Sequence, residues 1–174
     1  ACKAANTAQH LSDVMAGTES GNRMNLETFV QRNYMEKILC DANRRFRDMS
    51  NGQFELKLIN VEDAGEGKNK GLDFEVYSIV TGKTRSVNTL SGGESFMAAL
   101  SLALGMADQI QAATAAIHLD VMFIDEGFGS LSDNARNEAV NILKEMAGKQ
   151  RQIGIISHVS ELKDEIENQL IVKK

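Results

Sequence analysis

The stretch Leu90-Ser91-Gly92-Gly93-Glu94 decides the fold of this chain, because it predicts the start of a long helix. Ser91 stands where a helix cap belongs, and Glu94 follows three residues later, which is the spacing of a capping box. The next segment is rich in Ala, Leu and Met and predicts a helix to about residue 113. Two glycines at a helix start leave backbone N–H groups uncovered, and a helix N-terminus favours anions. The stretch therefore predicts a phosphate contact or, alternatively, an ordinary helix start with a tight glycine turn.

Two apolar segments downstream each end in polar side chains. The run Val121-Met122-Phe123-Ile124-Asp125-Glu126 ends in two acids, and Ile153 to Ile156 is followed by Ser157 and His158. A helix is expected between them, over about 133–148. The order strand, helix, strand implies a parallel sheet with a right-handed crossover. Ligands of open α/β sheets bind at the carboxyl edge of the strands, where these polar side chains are expected to lie.

The acids and the histidine suit nucleotide chemistry at that edge. Asp125 suits the shell of a magnesium ion, and Glu126 suits a base that orients an attacking water. The alternative is a strand that ends in a solvated acidic turn. A lone histidine is more often structural, but the position of His158 at the same sheet edge as Asp125 favours a functional role.

The first half of the chain predicts a long helix and a small antiparallel sheet. Apolar residues recur every four positions from Leu26 to Phe46, which predicts an amphipathic helix over about 24–50 that ends near Asn51-Gly52. A glycine-rich loop is expected over 64–71 and a hairpin turn near Thr81-Gly82-Lys83. The expected strands are Phe54–Leu58, Leu72–Tyr77, about 84–88 and, far downstream, Leu170–Val172.

A basic strip, Arg44, Arg45 and Arg47, lies near the end of the long helix. It is either a solvated helix face or a contact for nucleic-acid phosphates. The net charge of −5 argues against a domain whose whole surface binds DNA. A local basic contact remains compatible with that charge.

The chain lacks the phosphate-binding loop G-x-x-x-x-G-K-[ST]. Gly82-Lys83-Thr84 mimics its end, but Tyr77 stands where the first glycine would be, and a hairpin turn is the better interpretation. Cys2 and Cys40 are too few for a disulfide framework or a structural metal site. No stretch approaches ~18 consecutive apolar residues. We therefore expect a cytoplasmic segment of a longer protein, without a membrane span.

Three segments, in this order, resemble the SbcC family of exonuclease-associated ATPases, which are related to the SMC proteins and to ATP-binding cassettes. Leu90 to Ala107 (LSGGESFMAALSLALGMA) resembles the signature segment of that family. Val121 to Leu131 (VMFIDEGFGSL) resembles its Walker B and D-loop, and Ile153 to Leu162 (IGIISHVSEL) its switch-histidine segment. The predicted 24–50 helix resembles the end of the returning coiled-coil arm. The resemblance covers residues 24–174.

The resemblance implies the α/β C-terminal lobe of an ATPase head of the ABC/SMC type. That lobe has a mainly parallel sheet with flanking helices, a small antiparallel β portion and a long N-terminal helix from the coiled coil. Residues 1–23 would be a linker or a remnant of the arm. The half-head, 24–174, would comprise a coiled-coil base helix over 24–50, a β region over 53–88 and the signature, Walker B and switch-histidine lobe over 90–174.

The resemblance also assigns roles to single residues. The signature residues Ser91, Gly92, Gly93 and Glu94 would bind the γ-phosphate of ATP held by an opposite head. Asp125 would support Mg²⁺ through water, Glu126 would polarise the attacking water, and His158 would sense the γ-phosphate. Gly129, Ser130 and Leu131 would form the D-loop that crosses the dimer. Such loops usually continue with Asp, whereas this chain has Ser132 followed by Asp133.

The implied partners are the N-terminal Walker A half, a second head in an ATP-dependent homodimer, an SbcD-like nuclease near residues 24–50, and DNA ends or hairpins. An SMC-type head that organises chromosomes without a nuclease is the alternative. The Ser95-Phe96-Met97 continuation and the Gly127-Phe128-Gly129 turn favour the SbcC type. A transporter ATPase is disfavoured, because no Gln/Arg-rich continuation follows Glu94.

Overall fold

A computed structural model describes residues 9, 11–13, 15–16, 24–60, 71–113, 119–147 and 151–172. The first short stretches, up to residue 16, are helical. The later elements, in chain order, are α1 (Leu26–Met49), β1 (Phe54–Leu58), β2 (Phe74–Ser78), β3 (Lys83–Ser86), a 3-10 helix (Val87–Thr89), α2 (Gly92–Ala113), β4 (Val121–Asp125), a 3-10 turn (Phe128–Ser130), α3 (Asp133–Ala147), β5 (Gln152–Ile156) and α4 (Leu162–Glu165).

Helix α1 begins and ends close to the residues that the sequence predicts. The Asn25 side chain accepts a hydrogen bond of 2.7 Å from the Thr28 N–H, which satisfies one of the free donors at the helix start. After Met49 the backbone turns left-handed at Asn51 (φ 51°) and Gly52 (φ 73°), which ends the helix.

The predicted apolar face of α1 is covered along only part of its length. Ile38, Ala42 and Phe46 are buried in the core. In the first turns of the helix, the residues at the same four-residue spacing are exposed: Leu26, Val30 and Tyr34. Phe29, beside them, is exposed as well. The described part of the chain thus leaves an apolar strip open at the start of this helix, and we call these four residues the open strip of α1.

The antiparallel sheet has the strand order β1-β2-β3. Strands β2 and β3 pair as the predicted hairpin, and Gly82 occupies the left-handed region (φ 66°) directly before β3. The third strand ends at Ser86 rather than at 88, because a 3-10 helix over Val87–Thr89 leads the chain into α2. Of the loop expected at 64–71, only Gly71 belongs to the described residues.

The second sheet pairs β4 and β5 in parallel, with Val121 opposite Gln152 and Asp125 opposite Ile156. This confirms the strand–helix–strand prediction and the α/β class, although the described residues place more strands in the antiparallel sheet. The strand predicted at Leu170–Val172 is wrong. These three residues have no regular structure and are exposed, and none of the strands among the described residues pairs with them.

One face of the parallel sheet packs on the core and the other is open. Ile124 is buried, whereas Val121, Phe123 and Ile156 have exposed fractions of 51, 72 and 55%. The Phe123 ring covers Gly154, where an added Cβ would lie 2.6 Å from two of the ring atoms. The core on the other side joins α1, α2, α3 and both sheets; its largest fully buried side chains are Phe46, Phe128, Met49, Leu104 and Val76.

The basic strip predicted on α1 is not a uniform solvated face. Arg45 is buried and donates from Nη2 to Asp108 Oδ2 of α2 at 2.5 Å. Arg151, which precedes β5, donates to the second oxygen of the same carboxylate at 2.9 Å. Arg47 is half exposed and pairs with Glu55. Burial and pairing leave only Arg44 of the three as an exposed cation without an ion pair among the described residues. The interpretation of the strip as a nucleic-acid contact is therefore corrected for Arg45.

Helix α2 is the one helix among the described residues that is long and apolar enough to cross a membrane by composition. Core helices share that composition, and Met97, Leu100 and Leu104 of this helix lie in the core. Gly105 faces α1 closely, since an added Cβ would lie 2.8 Å from the Ile38 carbonyl oxygen. These contacts are those of a core helix.

Candidate functional site

The start of α2 forms the predicted capping box. The Ser91 N–H donates to Glu94 Oε2 at 2.8 Å, and the Glu94 N–H donates to Ser91 Oγ at 3.3 Å. The N–H groups of Gly92 and Gly93, the first two residues of the helix, have no acceptor among the described residues. Ser91 and Gly92 are exposed. The helix start therefore presents free donors to solvent, as an anion contact requires.

Arg85 of β3 holds the capping box from outside the motif. It donates to the Thr89 carbonyl at 2.8 Å and pairs with Glu94 Oε2 at 3.2 Å. Partial burial, the largest single influence, raises the pKa of Glu94. The hydrogen bonds from Ser91 and the pairing with Arg85 outweigh it, so the pKa lies below its ordinary value. Arg85 could not be found from the sequence, since nothing in an alternating strand marks one arginine as a partner of a later turn.

The signature glycines pack against the D-loop of the same chain. An added Cβ at Gly93 would lie 2.6 Å from the Ser130 carbonyl oxygen, closer than side chains approach a backbone. At Gly92 the corresponding distance, to Ser130 Cβ, is an ordinary 3.6 Å. The two segments, predicted to serve the same partner head, are thus neighbours. We call Ser91, Gly92, Gly93 and Ser130 the donor edge.

The second cluster lies at the carboxyl end of β4 and β5. Asp125 ends β4, and Glu126 continues the ladder by donating its N–H to the Ile156 carbonyl at 2.9 Å. His158 Nδ1 lies 2.9 Å from Glu126 Oε2. The three side chains are exposed. We call Asp125, Glu126 and His158 the acid–histidine edge. The structure brings Glu126 and His158 into contact and places Asp125 at the same edge of the sheet, as the sequence predicts.

The turn after Glu126 has an unusual backbone. Glu126 has φ 57°, a left-handed value that side-chain-bearing residues seldom adopt, and Gly127 follows at φ 96°. Such values persist where the surroundings over-determine them, and they cluster at functional sites. Phe96 of α2 covers Gly127, and its ring makes an edge contact with Phe128 at 5.0 Å between centroids.

The D-loop residues divide between surface and core. Gly129 and Ser130 are exposed, and Ser130 Oγ donates to the Gly127 carbonyl at 2.8 Å. Leu131 is buried in the core cluster, so its side chain cannot reach a partner. Ser132 Oγ accepts a hydrogen bond from the Ala135 N–H at 3.4 Å, and the Ser132 carbonyl accepts one from the Arg136 N–H. Ser132, the residue at which the chain departs from the pattern of such loops, therefore caps the start of α3.

Magnesium fits the acid–histidine edge only as a nucleotide-bound ion. The described residues contain no group of three or more His, Cys, Asp or Glu side chains that would hold a metal without other ligands. Mg²⁺ is commonly held by one or two carboxylates together with substrate phosphates and waters. The exposed carboxylate of Asp125 meets that requirement.

Comparison with known proteins shows which proteins this chain resembles. Residues 68–145 match the family "SbcC/RAD50-like, Walker B motif". The SbcC component of nuclease SbcCD from Lactococcus lactis is 41% identical over an alignment of 169 residues, which covers 94% of this chain and 16% of that protein. This chain is similar to SbcC proteins over nearly all of its length. The Vibrio cholerae member is 46% identical over 157 residues, which is 90% of this chain and 15% of that protein. The chain thus spans about a sixth of the length of these SbcC proteins.

Solved structures of SMC heads share the fold. A chain from "Structural biochemistry of ATP-driven dimerization and DNA stimulated activation of SMC ATPases" superposes with a TM-score of 0.62 at 19% identity, covering 84% of this chain and 83% of that chain. An Smc head domain with an extended coiled coil, bound to the C-terminal domain of ScpA from Pyrococcus furiosus, gives 0.54 at 19% identity, covering 79% and 32%. These similarities confirm the predicted α/β head architecture.

Proposed function

We propose that residues 24–174 form the C-terminal half of the ATPase head of an SbcC-like DNA repair protein. The observation that carries the proposal is the division of the site into two exposed edges on one chain. The donor edge offers N–H and O–H groups, and the acid–histidine edge offers two carboxylates and an imidazole. Each edge serves only part of a nucleotide, and the chain has no phosphate-binding loop.

The donor edge suits the γ-phosphate of ATP held by an opposite head. Ser91 Oγ accepts from the Glu94 N–H within the capping box, so its own hydroxyl hydrogen remains free to donate. The free N–H groups of Gly92 and Gly93 add donors, and the positive end of the α2 dipole favours the anion. Glu94 shapes this edge rather than touching phosphate, because both Ser91 and Arg85 engage its carboxylate.

The acid–histidine edge suits hydrolysis of ATP held by this head. Mg²⁺–ATP would supply a charge-neutralised γ-phosphate as the electrophile. Asp125 would hold the metal shell, and Glu126 would orient the attacking water and accept its proton. His158 would keep the Glu126 carboxylate in place through the Nδ1 contact and present its other ring nitrogen to phosphate.

The surfaces that the described residues leave open support the remaining proposed partners. The exposed face of β4 and β5 suits packing by the N-terminal half, which would bring the Walker A loop. The open strip of α1 suits an SbcD-like nuclease at the base of the coiled coil. The name of the relatives, which marks them as part of nuclease SbcCD, supports this pairing. The expected setting is the cytoplasm, and the substrate class is DNA ends and hairpins.

Reconstitution with the matching N-terminal half tests the proposal. Each half alone and the mixture are assayed for ATP binding and Mg²⁺-dependent phosphate release. We expect hydrolysis from the mixture only, and an ATP-dependent dimer of the mixture by light scattering. Hydrolysis by this chain alone at an ordinary enzymatic rate, or no binding between the halves, would contradict it.

The SMC-type alternative lacks support from the relatives, since those that are 40, 41 and 46% identical belong to the SbcCD nuclease. Co-purification of the full-length protein separates the two. An SbcC-like head retains a phosphoesterase-type nuclease, whereas a chromosome-organising head does not.

A further inference from the structure

We propose that Phe96 is a positioning residue that joins the donor edge to the turn carrying Glu126, so that the two edges of one head move together. The proposal deepens the proposed function and rests on it. Phe96 and Gly127 also belong to the two sequence segments that favour the SbcC type over the SMC type, and the structure places these segments in contact.

The first step is the contact at Gly127. An added Cβ there would lie 2.2 Å from both Cδ2 and Cε2 of the Phe96 ring, so the ring rests directly on the peptide backbone. Gly127 also has φ 96°, which disfavours any side chain. Glu126, one residue earlier, has φ 57°. The backbone on which the Glu126 carboxylate depends is therefore supported by a side chain of α2.

The second step is how firmly the ring is held. Phe128, which is fully buried, contacts the Phe96 ring edge-on, with an interplanar angle of 63°. Phe128 cannot shift without disturbing the core. The ring thus lies between a rigid core residue and the glycine backbone, and it transmits displacement because packed interiors deform little.

The third step is a second contact on the same side of α2. Gly93 and Phe96 are three residues apart and so share one helix face. Gly93 meets the Ser130 backbone while Phe96 meets Gly127, so the first two turns of α2 touch both ends of the loop 127–130. A shift of the signature helix would therefore carry this loop and Glu126 with it.

The consequence is communication between the two ATP sites of a head dimer. The donor edge touches the nucleotide of the opposite head, and Glu126 serves the nucleotide of its own head. Through Phe96, contact of the donor edge with the nucleotide of the opposite head would set the position of Glu126. Misplacement of a reacting group by about 1 Å can cost 10²-fold in rate, so small shifts are enough.

The kinetic test uses the full-length protein with its nuclease partner. We expect Phe96→Leu to lower kcat at least about tenfold while KM for ATP changes less than about threefold. In a Glu126→Gln background, Phe96→Leu should still form the ATP-dependent dimer. Phe96→Tyr keeps the ring and should restore most of kcat. An unchanged kcat, or a loss of dimer in proportion to the loss of activity, would overturn the proposal.

Amide hydrogen exchange tests the contact without any hydrolysis. Exchange rates give an opening free energy for each amide. In this chain, Phe96→Leu should lower the opening free energy of the amides of residues 126–131 by more than it lowers the free energy of global unfolding. Phe46→Leu, which removes a ring from the core on α1, is the matched control. It should lower the opening free energy of these amides by no more than it lowers the free energy of global unfolding. Equal responses to the two substitutions would reject the coupling. Absence of ATPase activity in the unmodified protein would instead contradict the proposed function, so the two failures are distinguishable.

Discussion

His158 Nδ1 and Glu126 Oε2 lie 2.9 Å apart, and their side chains are 81 and 51% exposed. The pair lies just beyond the ends of two adjacent parallel strands, whose last residues, Asp125 and Ile156, are opposite each other. Its partners come from segments about 30 residues apart in the sequence. The exposure means that neither group is committed to the core, so the pair is available to a ligand that approaches the sheet edge.

Glu126→Gln should separate hydrolysis from assembly in the reconstituted head. The amide cannot accept the proton of the attacking water, so phosphate release should fall by about 10²- to 10⁴-fold. The donor edge is unaltered, and the ATP-dependent dimer should therefore persist and live longer. Single-turnover hydrolysis and light scattering measure the two properties. A variant that hydrolyses ATP normally would assign the base to another residue.

Gly93→Ala should destabilise the chain, whereas Gly92→Ala should not. A methyl group at Gly93 meets the Ser130 carbonyl oxygen at 2.6 Å, and the backbone must shift by overpacking, at a cost of about 1–3 kcal/mol. At Gly92 the nearest atom is at 3.6 Å, and alanine is the better helix former. Urea unfolding of the two variants makes the comparison. Equal stabilities would show that the loop at Ser130 yields without cost.

Glu94 should make stability depend on pH in the acid range. Its pKa in the folded chain is lowered from 4.5, so its ionised form stabilises the fold at pH values above 4.5. That contribution is lost as the pH falls through the lowered pKa. Glu94→Gln keeps the cap acceptor but loses the pairing with Arg85. The difference in unfolding free energy between parent and variant should therefore be present at pH 7 and shrink in acid; a constant difference would contradict the pairing.

Asp108→Asn should weaken the junction of α1, α2 and β5 more than loss of a surface pair does. Its carboxylate neutralises both Arg45 and Arg151, whose side chains are 10 and 8% exposed. Leaving buried guanidinium groups without a charged partner should cost about 1–3 kcal/mol. Glu55→Gln, which breaks the more exposed pair with Arg47, is the control and should cost less than about 1 kcal/mol. Thermal unfolding gives both values.

The parts of the fold that the sequence predicts correctly are those whose signal lies within one short segment. The four-residue recurrence of α1, the capping box of Ser91 and Glu94, and the two apolar strands each contain their own signal, and the structure confirms all of them. The acid–histidine edge followed because parallel strands bring their carboxyl ends together. The strand at 170–172, judged from its apolar residues alone, was wrong.

The unpredictable part depends on contacts between distant segments. Arg45 looked like a member of a solvated strip because its partner, Asp108, is 63 residues away. Arg85 and Phe96 act on Glu94 and Gly127 through tertiary packing, for which helix and strand periodicity carry no signal. The exposure of Leu26, Val30 and Tyr34 was equally hidden, since a periodic stripe does not reveal whether anything covers it.

The uncovered side chains of the parallel sheet have a practical consequence for handling the chain. The exposed apolar patch on this sheet consists of Val121, Phe123 and Ile156. Among the described residues, each of the two strands also has one unpaired outer edge, which can pair with another chain. Preparations of the chain by itself should self-associate and precipitate as the concentration rises. Co-expression with the complementary half should yield soluble material. The yield of soluble protein would therefore report whether the other half packs on the exposed face of the sheet.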